Sequence, residues 1–217
     1  MKKVFLIGFL ILGLSGWVWG ASPESYFPLQ EGMVWEFQHT LLDLKTDKQI
    51  GTAKSVKENL APTELKGLKV VPQVFSFYEP ADTLKQKAKY FIVQDAGGFY
   101  VVARQSLNEP KPTFLPEKFY ILKFPLSKGA TWKQSARGLI IHNTVEDTAA
   151  TVQVPAGTFE NCLLIKKVYF HEKDPKNAVQ EGHFWFAPRV GNVKVVRKNT
   201  PENKEIIQEL VSFQKKK

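Results

Sequence analysis

Short runs of β-branched and aromatic residues, each bracketed by turn residues, are the dominant pattern along the chain. Trp35-Glu36-Phe37-Gln38-His39-Thr40-Leu41, Leu68-Lys69-Val70-Val71 through Phe75-Ser76-Phe77-Tyr78, Lys89-Tyr90-Phe91-Ile92-Val93 and Phe99-Tyr100-Val101-Val102-Ala103 read as strands. Gly97-Gly98 separates two of these runs and marks a hairpin, because glycine accepts the positive φ that tight hairpin turns need. The same grammar returns in Thr144-Val145 to Thr151-Val152-Gln153-Val154, Cys162-Leu163-Leu164-Ile165 to Val168-Tyr169-Phe170, Gly182 to Phe186 and Asn192 to Val196, with a last strand from Ile206 to Phe213. This predicts roughly ten to twelve strands of ordinary length. An apolar 3.6-residue period is never held over three turns after the first twenty residues, although Thr83 to Lys89 reads as a short exposed turn of helix. The expected class is mainly β.

The chain also repeats itself. Phe27-Pro28-Leu29-Gln30-Glu31-Gly32-Met33-Val34-Trp35 returns as Phe124-Pro125-Leu126-Ser127-Lys128-Gly129-Ala130-Thr131-Trp132, 97 residues later, with five of nine positions identical. Tyr90-Phe91-Ile92-Val93 through Gly98, Val102 and Arg104 aligns 93 residues on with His183-Phe184-Trp185-Phe186 through Gly191, Val195 and Arg197. The order is the same both times, which points to two related units of about 95 residues, at about 26–110 and 123–213. Between them lies Asn108-Glu109-Pro110-Lys111-Pro112-Thr113-Phe114-Leu115-Pro116, a connector or an edge segment, since proline cannot donate to a sheet ladder. Two separate small cores would leave half the strands at exposed edges. A single β domain over 21–217, an antiparallel curved sheet or barrel-like fold built from both units, buries more.

The first residues carry a different signal. Lys2 and Lys3 precede the apolar run Val4 to Leu14, and small residues follow at Gly20 and Ala21, the layout of a secretory signal peptide over 1–20. The rival is a retained anchor, because Trp17 to Gly20 extends the run toward the roughly 18 residues that span a bilayer. Cleavage is the favoured reading, giving an exported protein, periplasmic or extracellular. No cysteine follows the run to take a lipid anchor, and no second run of spanning length occurs.

Composition excludes several classes. With 43% hydrophobic and 24% charged residues the 217-residue chain is that of a folded globular protein. Its single cysteine, Cys162, excludes an internal disulfide and cysteine-rich metal centres, and its place before Leu163-Leu164-Ile165 suits a buried thiol. The net charge of +9 comes mostly from lysine and stays positive without Lys2 and Lys3.

Val154-Pro155-Ala156-Gly157-Thr158-Phe159-Glu160-Asn161-Cys162, followed by Phe184-Trp185-Phe186-Ala187-Pro188-Arg189-Val190-Gly191-Asn192-Val193-Lys194, resembles a pair of motifs found together in uncharacterised exported bacterial β-proteins. Tyr26-Phe27-Pro28-Leu29 with Gly32 and Trp35 is similar to their usual start. The resemblance implies an envelope location and a mostly antiparallel β fold, and it brings no catalytic residues. Where such proteins commonly carry glycine before the Val-Gly pair, this chain has Arg189. Read physically, Pro-Ala-Gly-Thr-Phe reverses one strand into the next, and Gly-x-x-Trp sets a turn before a tryptophan anchor.

No chemistry stands out. His39, His142, His171 and His183 are scattered, and the one mild metal candidate, His171 with Glu172 and His183, falls short of a supported three-ligand site, so no metal and no cofactor is expected. There is no Gly-x-Ser-x-Gly elbow and no phosphate loop, and Glu146 and Asp147 are neighbours that a strand points to opposite faces. Cys162 lies in an apolar strand with nothing to lower its pKa. An enzyme is not expected, nor a nucleic-acid partner. Two readings remain: binding of a lipid or other apolar or amphipathic envelope molecule, by distant fold analogy to lipoprotein-carrier half-barrels, and binding of another envelope protein through a surface or a sheet edge. For the first, Trp35, Trp132, Phe184 and Trp185 are the candidate lining residues. Lys215, Lys216 and Lys217 form a basic tail that could touch an anionic membrane.

Overall fold

The computed structural model describes residues 21–79 and 82–216; the segment read as a signal peptide, and Lys217, lie outside the described residues. The first half of the chain forms β1 (Met33–Asp43), β2 (Gln49–Asn59), β3 (Thr63–Leu65), β4 (Leu68–Tyr78), β5 (Leu84–Asp95), β6 (Gly98–Ser106) and β7 (Thr113–Lys123). The second half forms β8 (Thr131–Ala136), β9 (Leu139–Val154), β10 (Gly157–His171), β11 (Asp174–Ala187), β12 (Gly191–Asn199) and β13 (Lys204–Lys215). Twelve strands make one antiparallel sheet in the order β7-β6-β5-β4-β2-β1-β13-β12-β11-β10-β9-β8, and β3 adds a short hairpin onto β4. Each half of the path is a meander, β1 to β7 with β3 set aside and β8 to β13, and the first strand pairs with the last from Met33 opposite Lys215 to Asp43 opposite Lys204.

The sheet is thereby a nearly closed barrel, with one seam where β7 and β8 share no ladder. Gln134 of β8 clips that seam. Its side-chain oxygen accepts the backbone N–H of Tyr120 at 2.9 Å, and its side-chain nitrogen donates to the Tyr120 carbonyl at 3.1 Å. One side chain thus replaces one rung, satisfying backbone groups that an open edge would leave to water. Gln134→Leu is expected to speed hydrogen exchange of the Tyr120 amide by about tenfold or more while changing global stability little, because only the seam opens. Unchanged exchange at Tyr120 would show that the clip does not close the sheet.

Of the two sequence units, 26–110 holds β1, β2, β4, β5 and β6 of this path and 123–213 holds β8 to β13, with β7 between them, and the two opening phrases fold alike. Gly32 and Gly129 both take positive φ, at 76° and 85°. The Met33 N–H donates to the Gln30 carbonyl as that of Ala130 does to Ser127, while Gly32 and Gly129 each reach a neighbouring strand, at Asn59 and Val145. The proline-rich stretch leads into β7, which ends the sheet. Its register jumps from Phe114 to Phe119, so Pro116 falls in a bulge that needs no ladder donor.

One sequence expectation is corrected. The segment from Thr83 to Lys89 is not helical: β5 begins at Leu84, and Gln86 and Lys87 pair with Phe77 and Ser76 of β4. Leu84 to Lys87 are all exposed, so no burial pattern betrayed a strand whose register is imposed by its neighbour.

The barrel is packed at one end. Residues Ser22 to Glu31 run across that end, with Tyr26 donating its hydroxyl to the Asn161 carbonyl, Phe27 against Phe99 at 5.3 Å, and Asn59 donating to the carbonyls of Pro28 and Gln30. Phe99, Leu122, Leu126, Trp132, Val145, Leu163, Ile165 and Phe186 form the core beneath them. A second cluster joins Met33, Trp35 and Phe37 to Val193, Leu210 and the β9–β10 hairpin through Val152, Val154 and Cys162, and the Ala156 N–H fixes that hairpin to the Leu210 carbonyl. Val70, Phe91, Val93, Tyr100 and Ala103 make a smaller third cluster.

Arg189 sits at φ 64°, the left-handed geometry that glycine would supply at no steric cost, and its N–H donates to the Ser25 carbonyl at 2.7 Å. Arg189→Gly is expected to leave the fold intact and raise stability by up to about 1 kcal/mol in urea unfolding, as left-handed strain is relieved. A loss of stability would mean that the arginine side chain outweighs that strain.

Candidate functional site

The four candidate aromatics do not line one space. Trp35 is buried, and its indole N–H donates to the Val190 carbonyl at 2.6 Å. Trp132 is buried in the other large cluster, where its indole N–H has no partner among the described residues. Phe184 packs against the cluster that contains Trp132, while Trp185 packs against the Trp35 cluster, and as neighbours on β11 they stand on opposite faces of the strand. The space beside Trp35, bounded by Phe27, Phe37, Lys57 and Gln73, is about 20 Å³, room for one water. Trp35 and Trp132 are therefore core residues of the packed end. A groove of about 930 Å³ lies outside that end, bounded mainly by loop residues such as Pro125, Ser127 and Pro188.

The inner face of the barrel changes character toward the opposite end. Residues directly opposite one another in adjacent strands share a face, and Lys57 stands between Trp35 and Phe75, so the inner face is followed from the buried tryptophan outward. Phe75, Phe77, Tyr90, Arg104, Tyr169 and Ile206 lie on it and are half-buried, in contrast to the fully buried Phe37, Phe99 and Leu122. The barrel is thus packed at one end and reached by solvent at the other.

Besides Arg104, this inner face carries Lys57, Lys167 and Arg197. One register row runs Asn143, Lys167, Gly182, Arg197, Ile206, Leu41 across six strands, and it contains no carboxylate. Gly182 makes room for the arginine: a Cβ there would lie 2.9 Å from Arg197 Cγ and 3.0 Å from the Phe184 ring. Lys167 holds its ammonium 4.7 Å from the centroid of Phe184, and Lys57 holds its own 4.8 Å from that of Phe37. Among the described residues, none of the three has an ion-pair partner, and Arg197 Nε is buried without any hydrogen bond. Arg104, the counterpart of Arg197 in the sequence repeat, instead reaches Glu109 at 3.9 Å.

The electrostatics follow from this lack of anions. Burial lowers the Lys57 pKa to about 8, with the Arg197 charge adding to the effect. Burial lowers Lys167 likewise to about 8, and Lys57 adds to it. His39, hydrogen-bonded to Ser55 at 2.8 Å, is driven to about 4 by burial and by Arg197 and Lys57, so it is neutral at physiological pH. Burial raises the Tyr169 phenol, against an opposing pull from Arg197. Positive charge is thus concentrated on a partly desolvated wall, where among the described residues Lys57 and Lys167 are met by cation–π contacts rather than by carboxylates.

The sequence did not single out Lys57 or Lys167. Lys166-Lys167 inside an apolar run was the available signal, because adjacent strand residues face opposite ways and one of the two must share the face of Ile165. Lys57 carries no such mark.

Other candidates are dispersed. His171 pairs with Asp174 while His183 lies opposite Lys166, and His183 meets Glu146 at 3.3 Å, so His171 and His183 do not converge. Burial raises the Cys162 thiol to about 11, which keeps it protonated. The basic tail is partly tied down: Lys215 belongs to β13, and Lys216 pairs with Glu58 at 2.8 Å.

These features define a mainly antiparallel barrel with a filled end, an accessible end and a cationic inner wall. It is similar to an inferred exported protein with a YmcC-like fold from Bacteroides fragilis, at a TM-score of 0.53 and 19% identity over 87% of this chain and 98% of that one. An inferred lipoprotein from Parabacteroides distasonis matches at a TM-score of 0.51 and 17% identity over 87% and 98%. A β-barrel-like protein of a domain of unknown function, DUF1849, from Brucella abortus gives 0.49 and 12% over 88% and 100%. At these identities the first two likenesses establish the fold alone. No known family profile matches the chain, and no curated protein does.

Proposed function

We propose that the chain is an exported cell-envelope protein that binds an apolar or amphipathic envelope molecule in the accessible half of its barrel and catalyses no reaction. The observation that carries this reading is the inner wall of half-buried aromatics, Phe75, Phe77, Tyr90 and Tyr169, above a filled floor. A barrel of this kind takes a ligand at its mouth. Ile50 and Leu84, at that end of β2 and β5, and Leu107, just after β6, are exposed apolar residues over which an apolar chain could pass. Export is supported by the signal-peptide pattern over 1–20 and by the exported and lipoprotein character inferred for proteins of similar fold.

Native mass spectrometry of the processed protein from its own envelope, without detergent and followed by solvent extraction, tests the reading. A small amphiphile or lipid at one per chain is the expected result. A uniformly unliganded mass would favour the second reading, an accessory protein that accepts a partner strand, for which the β7/β8 seam is the available edge.

A further inference from the structure

We infer that the barrel's ligand is an amphiphile with an anionic head, a carboxylate or a phosphate, and that Lys57, Lys167 and Arg197 receive it. This deepens the proposed function and rests on it. The geometry supplies the donors: two ammonium groups from β2 and β10 and a guanidinium from β12, brought to one face by register and by the missing side chain of Gly182. Chemistry supplies the need. Buried cations are ordinarily paired with carboxylates, and a cation left alone is a standing electrostatic burden on the fold. Here the row that carries Lys167 and Arg197 has no acid, and Arg197 Nε is a buried donor with nothing to donate to. A carboxylate or phosphate would satisfy that donor and two ammonium groups together, with charge-assisted hydrogen bonds.

The rings around the cations call for an apolar tail behind the head. Phe37 and Phe184 already lie against the ammonium groups, and Phe75, Phe77 and Tyr90 continue the wall toward the open end. An ion with no tail would leave those rings facing water. A neutral lipid would leave the three cations unpaired, so the two requirements together select an anionic amphiphile over either alone.

Isothermal titration calorimetry with dodecanoate, dodecyl phosphate, dodecanol and inorganic phosphate tests this, on the processed wild type and on Lys167→Met, Arg197→Met and Lys167→Arg, each checked for its fold by circular dichroism. Dodecanoate or dodecyl phosphate is expected to bind at least about tenfold more tightly than dodecanol, with that preference lost in Lys167→Met and Arg197→Met and kept in Lys167→Arg. The better of the two anions identifies the head as carboxylate or phosphate. Dodecanol binding as tightly as the anions, unmoved by the substitutions, overturns the anionic head and leaves the amphiphile reading standing. Inorganic phosphate binding while no amphiphile does overturns both, since a tail would then add nothing. Heat from none of the four probes also overturns both.

Discussion

Replacing Lys57 and Lys167 together by methionine is expected to make the unliganded protein more stable and unable to retain an anionic ligand. Methionine keeps the length and flexibility of the buried stem and removes a charge that has no counterion, whereas most core substitutions destabilise. Each replacement is expected to add about 1–2 kcal/mol at neutral pH, which corresponds to roughly 2–4 °C per kcal/mol in a chain of this size. The pH dependence separates this cause from a packing effect. In the unfolded chain a lysine holds its proton to about pH 10.4, whereas folded Lys57 and Lys167 release theirs near 8. Between these values the unfolded state binds more protons, so wild-type stability climbs as pH rises from about 8 to about 10. The double variant lacks that climb, or most of it. Differential scanning calorimetry across this range decides the matter, and a double variant less stable than wild type at pH 7 would show that the lysines are compensated in a way their surroundings do not reveal.

Gly98→Ala is expected to be the most damaging small substitution, and Gly157→Ala is its matched control. Both glycines have nearly the same φ, 128° and 131°, a value that other residues adopt only with strain. They differ in what surrounds them. A Cβ on Gly98 would lie 2.1 Å from the Leu122 carbonyl oxygen and 3.0 Å from Lys123 Cα, both backbone atoms of β7, while one on Gly157 would meet nothing within 4 Å. Backbone strain alone then accounts for Gly157→Ala, about 1–3 kcal/mol. Gly98→Ala adds a collision that only separation of β6 from β7 relieves, for a total loss above about 4 kcal/mol. Urea unfolding of the two variants measures the difference, and equal losses would contradict the close approach of these strands.

Much of this architecture was legible because it rests on side-chain alternation and turn chemistry. Leu68 to Tyr78 and the Gly97-Gly98 hairpin fold where the pattern puts them, and the repeated Gly-x-x-Trp phrases fold into turns with corresponding hydrogen bonds. Where the inner face is not apolar, the signal failed. β2 presents Ala53, Ser55, Lys57 and Asn59 to the same side as Trp35 and Phe37, so it looks like a polar loop although Ser55 and Asn59 are fully buried. β7 was obscured by Pro116 in its bulge, and β8 is only six residues long. The candidate site was hidden for a related reason. A lysine in a strand ordinarily belongs to the solvated face, and only the barrel's closure reveals that Lys57 and Lys167 stand on its inner face. Trp35 and Trp132, by contrast, drew attention by size and stand in the core of the packed end.

The central claim is that the accessible half of the barrel holds unpaired cations awaiting an anionic head. It is tested most directly by nuclear magnetic resonance titration of the lysine side chains, with Lys57 and Lys167 assigned by substitution, before and after addition of dodecanoate or dodecyl phosphate. Two lysines titrating near pH 8 in the unliganded protein, and shifting upward toward the ordinary lysine value when at least one of the two amphiphiles is added, is the result the account predicts. Lysines that all titrate at about 10 or above, and that no added amphiphile shifts, would contradict it.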